Sequence, residues 1–364
     1  MSEKPKKLYP FRFKPTEFER PWGKETWTSA DMGFADSEIE NGWLSGNSMS
    51  DLMETYLERV VGENVYQYYG RQFPVLVKFL EIDGTMPLTV NPDDSVAMER
   101  YDSLGTAKLW YVEDASPDAR LRIGFRRDVT ATEFYEKCMD GTADDLMNEI
   151  VPRKGQHYMI TPGTVHSATG RLKIVCISES SDANFTLCDP ALPQEDKEMQ
   201  MLQIAEAMDF IDFSRAGDCT LTADEGPLAT ALVERPEFNV TRINLSDPLH
   251  IYTEKFESYI IYVCLEGEAS IQYSAANDSG ETVTENIVLS RNGTVMIPAE
   301  LPDFLLVPRD RSTVLLEVVT RPCEDVDGYI DPNTEPFLEG EDYGGVEDDT
   351  EAEEEDDSDE PVYS

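Results

Sequence analysis

The chain has 364 residues, of which 40% are hydrophobic and 10% aromatic, so it resembles globular proteins and not disordered ones. This length can bury two hydrophobic cores. The net charge of −43 at pH 7 repels nucleic-acid phosphates and anionic membranes, and no apolar run approaches the roughly 20 residues that a membrane-spanning helix needs.

The first seven residues are polar, contain three lysines and are not followed by the apolar stretch of a secretory signal. We therefore expect a cytoplasmic protein. In that compartment cysteines stay reduced, and none of the six here forms a C-x-x-C pair. The following are predicted to be free thiols: Cys138, Cys176, Cys188, Cys219, Cys264 and Cys323.

The first half of the chain contains short β-rich runs separated by Gly, Pro, Asn and Asp, a pattern typical of a sandwich or barrel. Apolar residues at helical spacing predict a helix after Ser48, with Asp51 or Glu54 supporting its N-terminal cap. Two more short helices are predicted at 132–139 and 144–150. Strands are predicted at 73–80, 109–112, 121–125, 158–160 and 172–177.

The clearest helical periodicity runs from about Pro193 to Phe213, with a proline in the first turn. One stripe of this helix is predicted to pack into the core and not to bind a cofactor. That stripe contains Met201, Leu202, Ala205, Met208 and Ile211. We expect the helix to separate two β domains.

The second half repeats the style of the first, with strands predicted at 238–245, 258–265, 268–273 and 293–299. Residues 293–299 parallel residues 155–162, since both combine a glycine, a short apolar strand and a proline turn. A repeated small barrel explains this similarity. The predicted organisation is a first domain at 1–190, a connecting helix at 191–216, a second domain at 217–322 and a tail at 323–364.

The tail is strongly acidic: between 341 and 360, 13 of 20 residues are Asp or Glu and none is Lys or Arg. Such a segment cannot bury enough apolar surface to fold, so we predict that it is disordered. It would make the protein more soluble, or alternatively bind a basic protein partner.

Several separate blocks follow one another in an order that one protein family shares. They are Arg20–Gly23, Phe73–Glu81, Val90–Asp94, Gly105–Tyr111, Pro162–His166 and Ser180–Asp189. Over about residues 8–320 the chain resembles the type I mannose-6-phosphate isomerases (phosphomannose isomerases), a family of the cupin superfamily. The resemblance implies a mainly β fold with inserted helices and two cupin-like β-barrel (jelly-roll) domains.

Members of that family interconvert mannose 6-phosphate and fructose 6-phosphate, with one zinc that polarises the sugar oxygens. Their zinc ligands are Gln, His, Glu and His. At the corresponding positions this chain has Thr89, Asn91, Lys108 and His166. Zinc prefers imidazole, thiolate and carboxylate ligands, and a protonated lysine cannot coordinate it. Since only His166 is retained, the resemblance implies a degenerate metal site, and we expect no cofactor.

Residues that would support catalysis also differ, because Thr106, Cys176 and Thr186 stand where the family has Lys, Glu and Arg. Lys78 matches a lysine of the family. Lys78 and Trp22 are therefore the candidate substrate-binding residues, for a sugar or sugar phosphate.

Three functions remain open at the level of sequence. The first is an inactive or weakened paralogue that keeps a sugar-phosphate-type pocket. The second is a phosphosugar isomerase with altered or metal-free chemistry, in which Lys108 supplies positive charge to an enediolate and His166 moves the proton. The third is a structural or interaction protein.

Cys176 and His166 could also pair as nucleophile and base, although a buried free cysteine is the commoner case.

Overall fold

The computed structural model describes residues 6–189, 197–217, 220–221, 228–276 and 281–322. The acidic tail lies outside these ranges, as do Pro193, Cys219 and Cys323. Its predicted disorder and its basic partner therefore stay predictions. Within the described ranges, no helix is both long enough and apolar enough to cross a membrane.

The helices lie mainly in the first half of the chain. Six α-helices are described: α1 Met49–Tyr56, α2 Glu58–Val61, α3 Glu63–Tyr69, α4 Asp94–Tyr101, α5 Ala131–Met139 and α6 Lys197–Ala207. Helix α1 begins with the predicted cap. The Ser48 side chain accepts a hydrogen bond from the Asp51 backbone N–H, and the Asp51 carboxylate accepts one from the Ser48 N–H.

The first half of the chain builds one large curled sheet and one small hairpin. Its strands are β1 Thr16–Arg20, β2 Gly23–Trp27, β3 Asp31–Met32, β4 Ala35–Asp36, β5 Val75–Thr85, β6 Leu88–Val90, β7 Lys108–Ala115, β8 Arg120–Phe125, β9 Met147–Ile150, β10 His157–Ile160, β11 His166–Glu179, β12 Phe185–Cys188 and β13 Thr220–Leu221. Strand β11 has 14 residues and pairs antiparallel with β5, β6, β7 and β8. It therefore connects the parts of the first barrel on which the site residues lie.

The second half folds into a five-stranded sheet and a four-stranded sheet. Its strands are β14 Ala229–Glu234, β15 Asn239–Leu245, β16 Leu249–Tyr252, β17 Ile260–Glu266, β18 Glu268–Ala276, β19 Thr282–Ser290, β20 Thr294–Ile297, β21 Asp303–Pro308 and β22 Thr313–Val319. The strands that the sequence predicts in both halves are confirmed, with ends shifted by a few residues. So is the mainly β fold class with inserted helices.

Successive side chains on the central strands point alternately into two separate hydrophobic cores. On β5, Val75 and Val77 pack into a large core that continues through the second barrel. Leu80 of β5, Trp110 of β7 and Cys176 of β11 pack into a separate core of the first barrel. Because successive side chains point to opposite faces, only every second residue of these strands points into the interior of the first barrel.

One predicted helix is wrong. Residues 144–150 form a short 3₁₀ turn at Ala143–Leu146 followed by strand β9. This strand pairs with β8, with Ile150 opposite Leu121. Pairing at the sheet edge has overridden a weak local helical preference.

The helix predicted to reach Phe213 ends earlier, at Ala207. The N–H groups of Phe210 and Ile211 both donate to the Ala207 carbonyl, and the N–H of Asp212 donates to the Gly163 carbonyl. After Ala207 the chain is therefore no longer α-helical, and its backbone is hydrogen-bonded to the first barrel.

The predicted core stripe of this helix is also wrong in part. Met201 and Leu202 are 41% and 65% exposed, and Ala205 is exposed as well. The buried face instead contains Ile204 and Ala207, and it packs in one core with the first-barrel strand β12.

Candidate functional site

Three of the four residues that the resemblance assigns to ligand positions meet inside the first barrel. Strands β6 and β11 pair so that Thr89 stands opposite His166. The Thr89 hydroxyl lies 3.3 Å from His166 Nε2. Lys108, the first residue of β7, reaches the same atom, with its Nζ 3.3 Å from His166 Nε2.

The hydrogen bonds of His166 define its tautomer. Its Nδ1 lies 2.8 Å from the carbonyl oxygen of Thr164, which can only accept, so Nδ1 carries the proton. Nε2 of the neutral ring is then an acceptor, and the Lys108 ammonium donates to it. Burial and, secondarily, the Lys108 charge hold the pKa of His166 well below its usual value. The imidazole is therefore neutral at physiological pH.

Lys108 is a buried cation with weak compensation. Lys108 is only 8% exposed, and burial lowers the pKa of its ammonium group to about 8. Within the described part of the chain it forms no ion pair. The group therefore spends a larger fraction of time deprotonated near neutral pH than an exposed lysine does.

Asn91, at the remaining ligand position, makes a different set of contacts. Its Nδ2 donates to the Ala183 carbonyl at 2.7 Å and contacts Asn184 Oδ1 at 3.3 Å. Its Oδ1 is buried and has no hydrogen-bond partner among the described residues. Asn91 thus fixes the loop before β12 and does not bond to His166.

The candidate substrate-binding residues lie near this cluster. Lys78 of β5 stands opposite Cys176 in the β5–β11 ladder, and its ammonium lies 4.7 Å from the centre of the Trp27 ring. Trp22 is buried in the same core as Trp110 and Cys176. The role of Lys78 and Trp22 in binding stays a prediction.

The other sequence candidates do not form a catalytic set. Cys176 and His166 lie ten residues apart on the same strand, β11, and the acceptor atom of His166 is bonded to Lys108. Burial raises the pKa of Cys176. His157 and His250 lie on strands, and His250 contacts Asp303 at the surface. Four of the predicted free thiols are described, and they are free.

Trp110 is a neighbour of the site that sequence reasoning missed. Its ring meets the His166 ring edge-on, with 5.5 Å between ring centres. The spacing along β7 could have predicted this contact, because Trp110 is two residues from Lys108 and therefore lies on the same face of the strand.

These residues do not fit a zinc ion. Among the described residues, no group of three or more His, Cys, Asp and Glu side chains is placed to hold a metal. The nitrogen of His166 that would face a metal accepts a hydrogen bond from an ammonium group. A hydroxyl and an amide oxygen are weak zinc ligands, and an ammonium repels a dication.

Comparisons with known proteins agree with this fold. No family model matches the chain. The mannose-6-phosphate isomerase ManA of Bacillus subtilis is 25% identical over 279 residues, covering 71% of this chain and 86% of that protein. A mannose-6-phosphate isomerase of Streptococcus mutans is 23% identical over 237 residues, covering 65% of this chain and 72% of that protein.

Solved structures resemble the chain over most of its length. A crystal structure of the Bacillus subtilis mannose 6-phosphate isomerase has a TM-score of 0.72 at 20% identity, covering 85% of this chain and 99% of that one. A variant of phosphomannose isomerase from Salmonella typhimurium has a TM-score of 0.66 at 13% identity, covering 86% of this chain and 100% of that one.

The fold is thus mainly β and cupin-like, as predicted. In sequence, the chain is similar to mannose-6-phosphate isomerases at 25% and 23% identity.

Proposed function

We propose that this chain is an inactive or weakened mannose-6-phosphate isomerase paralogue, whose first barrel does not perform zinc-dependent isomerisation. The observation that carries the proposal is the 3.3 Å contact between Lys108 Nζ and His166 Nε2. The lysine side chain uses the lone pair that would otherwise coordinate a metal, and its charge opposes the entry of a dication.

The barrel interior keeps a cationic character that suits a sugar phosphate. Lys78 and Lys108 interact electrostatically with each other there, and their charges oppose the burial that raises the pKa of Cys176. A phosphorylated sugar would be attracted to Lys78, which is only partly buried, even without a metal. We therefore keep a sugar or sugar phosphate as the proposed ligand of the first barrel.

A metal-free isomerase is the second candidate, and one observation favours it. A lysine with a pKa of about 8 and a neutral imidazole beside it form a pair that can move a proton between adjacent carbons. However, Lys108 and His166 are only 8% and 2% exposed. A sugar would have to displace packed side chains to reach them, which favours the inactive paralogue.

Zinc binding tests the proposal directly. We expect the protein, after dialysis against zinc and removal of excess, to retain far less than one zinc per chain by elemental analysis. A variant with Thr89→Gln, Asn91→His and Lys108→Glu rebuilds the family's ligand set around His166. We expect it to retain close to one zinc, because it supplies two imidazoles and a carboxylate.

The matched control adds His166→Ala to the triple variant, which should lose the zinc again. Retention of one zinc by the wild-type chain, lost on His166→Ala, would contradict the proposal. Equal zinc content in all variants at a trace level would show that the ligand positions have been misassigned.

A further inference from the structure

A cavity lies where the two barrels meet, outside the interior of the first barrel. Its volume is about 470 Å³, within the range of small-molecule sites. Residues of both halves line it: Tyr111, Glu113 and 154–157 come from the first, and Arg242, Glu266 and Arg291 are among those from the second.

This cavity is separated from the Lys108 cluster by strand β7. Tyr111 and Glu113 are an odd number of residues from Lys108, so they lie on the opposite face of that strand. None of the residues that line the cavity belongs to the cluster around His166. The two sites can therefore be tested separately.

Three cations surround the cavity in a chain whose net charge is −43. Lys154 bonds to Glu266 across the boundary between the barrels. Arg242 and Arg291 remain, and neither forms an ion pair within the described residues. Two guanidinium groups near one cavity are suited to bidentate binding of a phosphate or carboxylate.

Three buried polar atoms at this cavity have no hydrogen-bond partner among the residues that the structure describes. They are Oε1 of Glu113, Nε of Arg242 and Nε2 of His157. Glu113 is only 8% exposed, and burial raises the pKa of its carboxyl. Buried polar groups are nearly always paired, so an acceptor and a donor left open at one cavity indicate a ligand that pairs with both.

We infer that this inter-barrel cavity binds a small phosphorylated molecule, with its phosphate on Arg242 and Arg291 and a hydroxyl group donating to Glu113. The ligand must carry both an anion and a neutral donor, because the cavity is lined by two guanidinium groups and a carboxyl. Since the cavity joins the two halves, binding there would also hold the barrels together.

The test is isothermal titration of the full chain with mannose 6-phosphate, with unphosphorylated mannose as the comparison ligand. We expect saturable binding of the phosphorylated sugar only. The variant Arg242→Gln with Arg291→Gln should bind at least about tenfold more weakly, because it loses both charge-assisted contacts. Arg291→Gln alone, at an exposed position, should weaken binding without disturbing the fold.

Arg309→Gln is the matched control. It removes one positive charge from the same barrel, but Arg309 pairs with Glu268 at the surface and does not line the cavity. We expect wild-type affinity from this variant. A second control, Lys78→Ala, reports on binding inside the first barrel.

Several results would overturn the inference. They are no binding of mannose 6-phosphate, equal binding of mannose, unchanged affinity in both arginine variants, and loss of binding in Lys78→Ala alone. The last result would place the ligand in the first barrel, which would support the proposed function while refuting the inter-barrel site.

Discussion

Replacing Lys108 with methionine should stabilise the protein at neutral pH. The lysine is buried, and its pKa falls from 10.5 to about 8. A pKa difference of this size between the unfolded and folded states corresponds to about 3 kcal/mol at pH 7. Methionine has a similar length and no charge, so Lys108→Met removes that penalty but also loses the charge-assisted hydrogen bond to His166, worth about 2 kcal/mol. The net gain in the free energy of unfolding is about 1 kcal/mol.

The gain must depend on pH, because the folded state releases the proton of Lys108 more easily than the unfolded state does. Between pH 8 and 10.5 the unfolded chain holds more protons, so the stability of the wild-type protein rises with pH through this window. The penalty is complete below pH 8 and is lost above about pH 10.5. The advantage of Lys108→Met should therefore shrink as pH rises from 7 to 10.

Urea unfolding at pH 7 and pH 10 measures both effects, with Lys173→Met as the control. Lys173 is an exposed lysine of β11 that pairs with Glu81, and its loss should change stability little at either pH. If Lys108→Met destabilised the protein at pH 7, the ammonium would be well compensated inside the barrel. The account of the site as an uncompensated cation would then be wrong.

Two further predictions concern the cysteines and the contact between the barrels. Cys188 is partly buried, whereas Cys264 is buried and burial raises its pKa to about 12, so iodoacetamide should modify Cys188 before Cys264, as peptide mapping would show; equal rates would contradict this. Phe73 is fully buried, with its ring centre 4.6 Å from that of Tyr259 in the second half. Phe73→Ala should lower the free energy of unfolding, measured in urea, by about 3–5 kcal/mol. Phe73→Leu should lower it by much less. A similarly small loss in both variants would contradict this prediction, because it would mean that the surrounding side chains collapse into the space left by the ring.

Much of the fold could be predicted because local patterns were strong. The runs that became β5, β7 and β11 are rich in branched and aromatic residues, which favour strands. The cap at Ser48 follows from its spacing to Asp51. These signals are contained within a few residues each.

The errors came from contacts between distant segments. Met201 and Leu202 satisfy a helical period, but α6 has two apolar stripes, and the position of β12 decides which one is buried. Periodicity alone cannot make that choice. In the same way, residues 144–150 became partly a strand because β8 offers an edge.

The candidate site was predictable only in its composition. The motifs align Thr89, Lys108 and His166 with the family's ligand positions, but the sequence does not say whether Lys108 points into the barrel. The direction of the Lys108 side chain depends on the register between β7 and β11, and that register is set by pairing across many residues. The inter-barrel cavity had no sequence signal, because Glu113, Arg242 and Arg291 lie on separate segments.

The central claim is that Lys108 has replaced zinc-dependent chemistry in the first barrel. The most direct test is a coupled assay for conversion of mannose 6-phosphate to fructose 6-phosphate, with purified protein, added zinc and a chelator control. We predict no zinc-dependent turnover, with the same background rate in the presence of chelator. Turnover that requires zinc and is abolished by the chelator would contradict the account, and turnover indifferent to chelator but lost in Lys108→Ala would instead establish the metal-free isomerase.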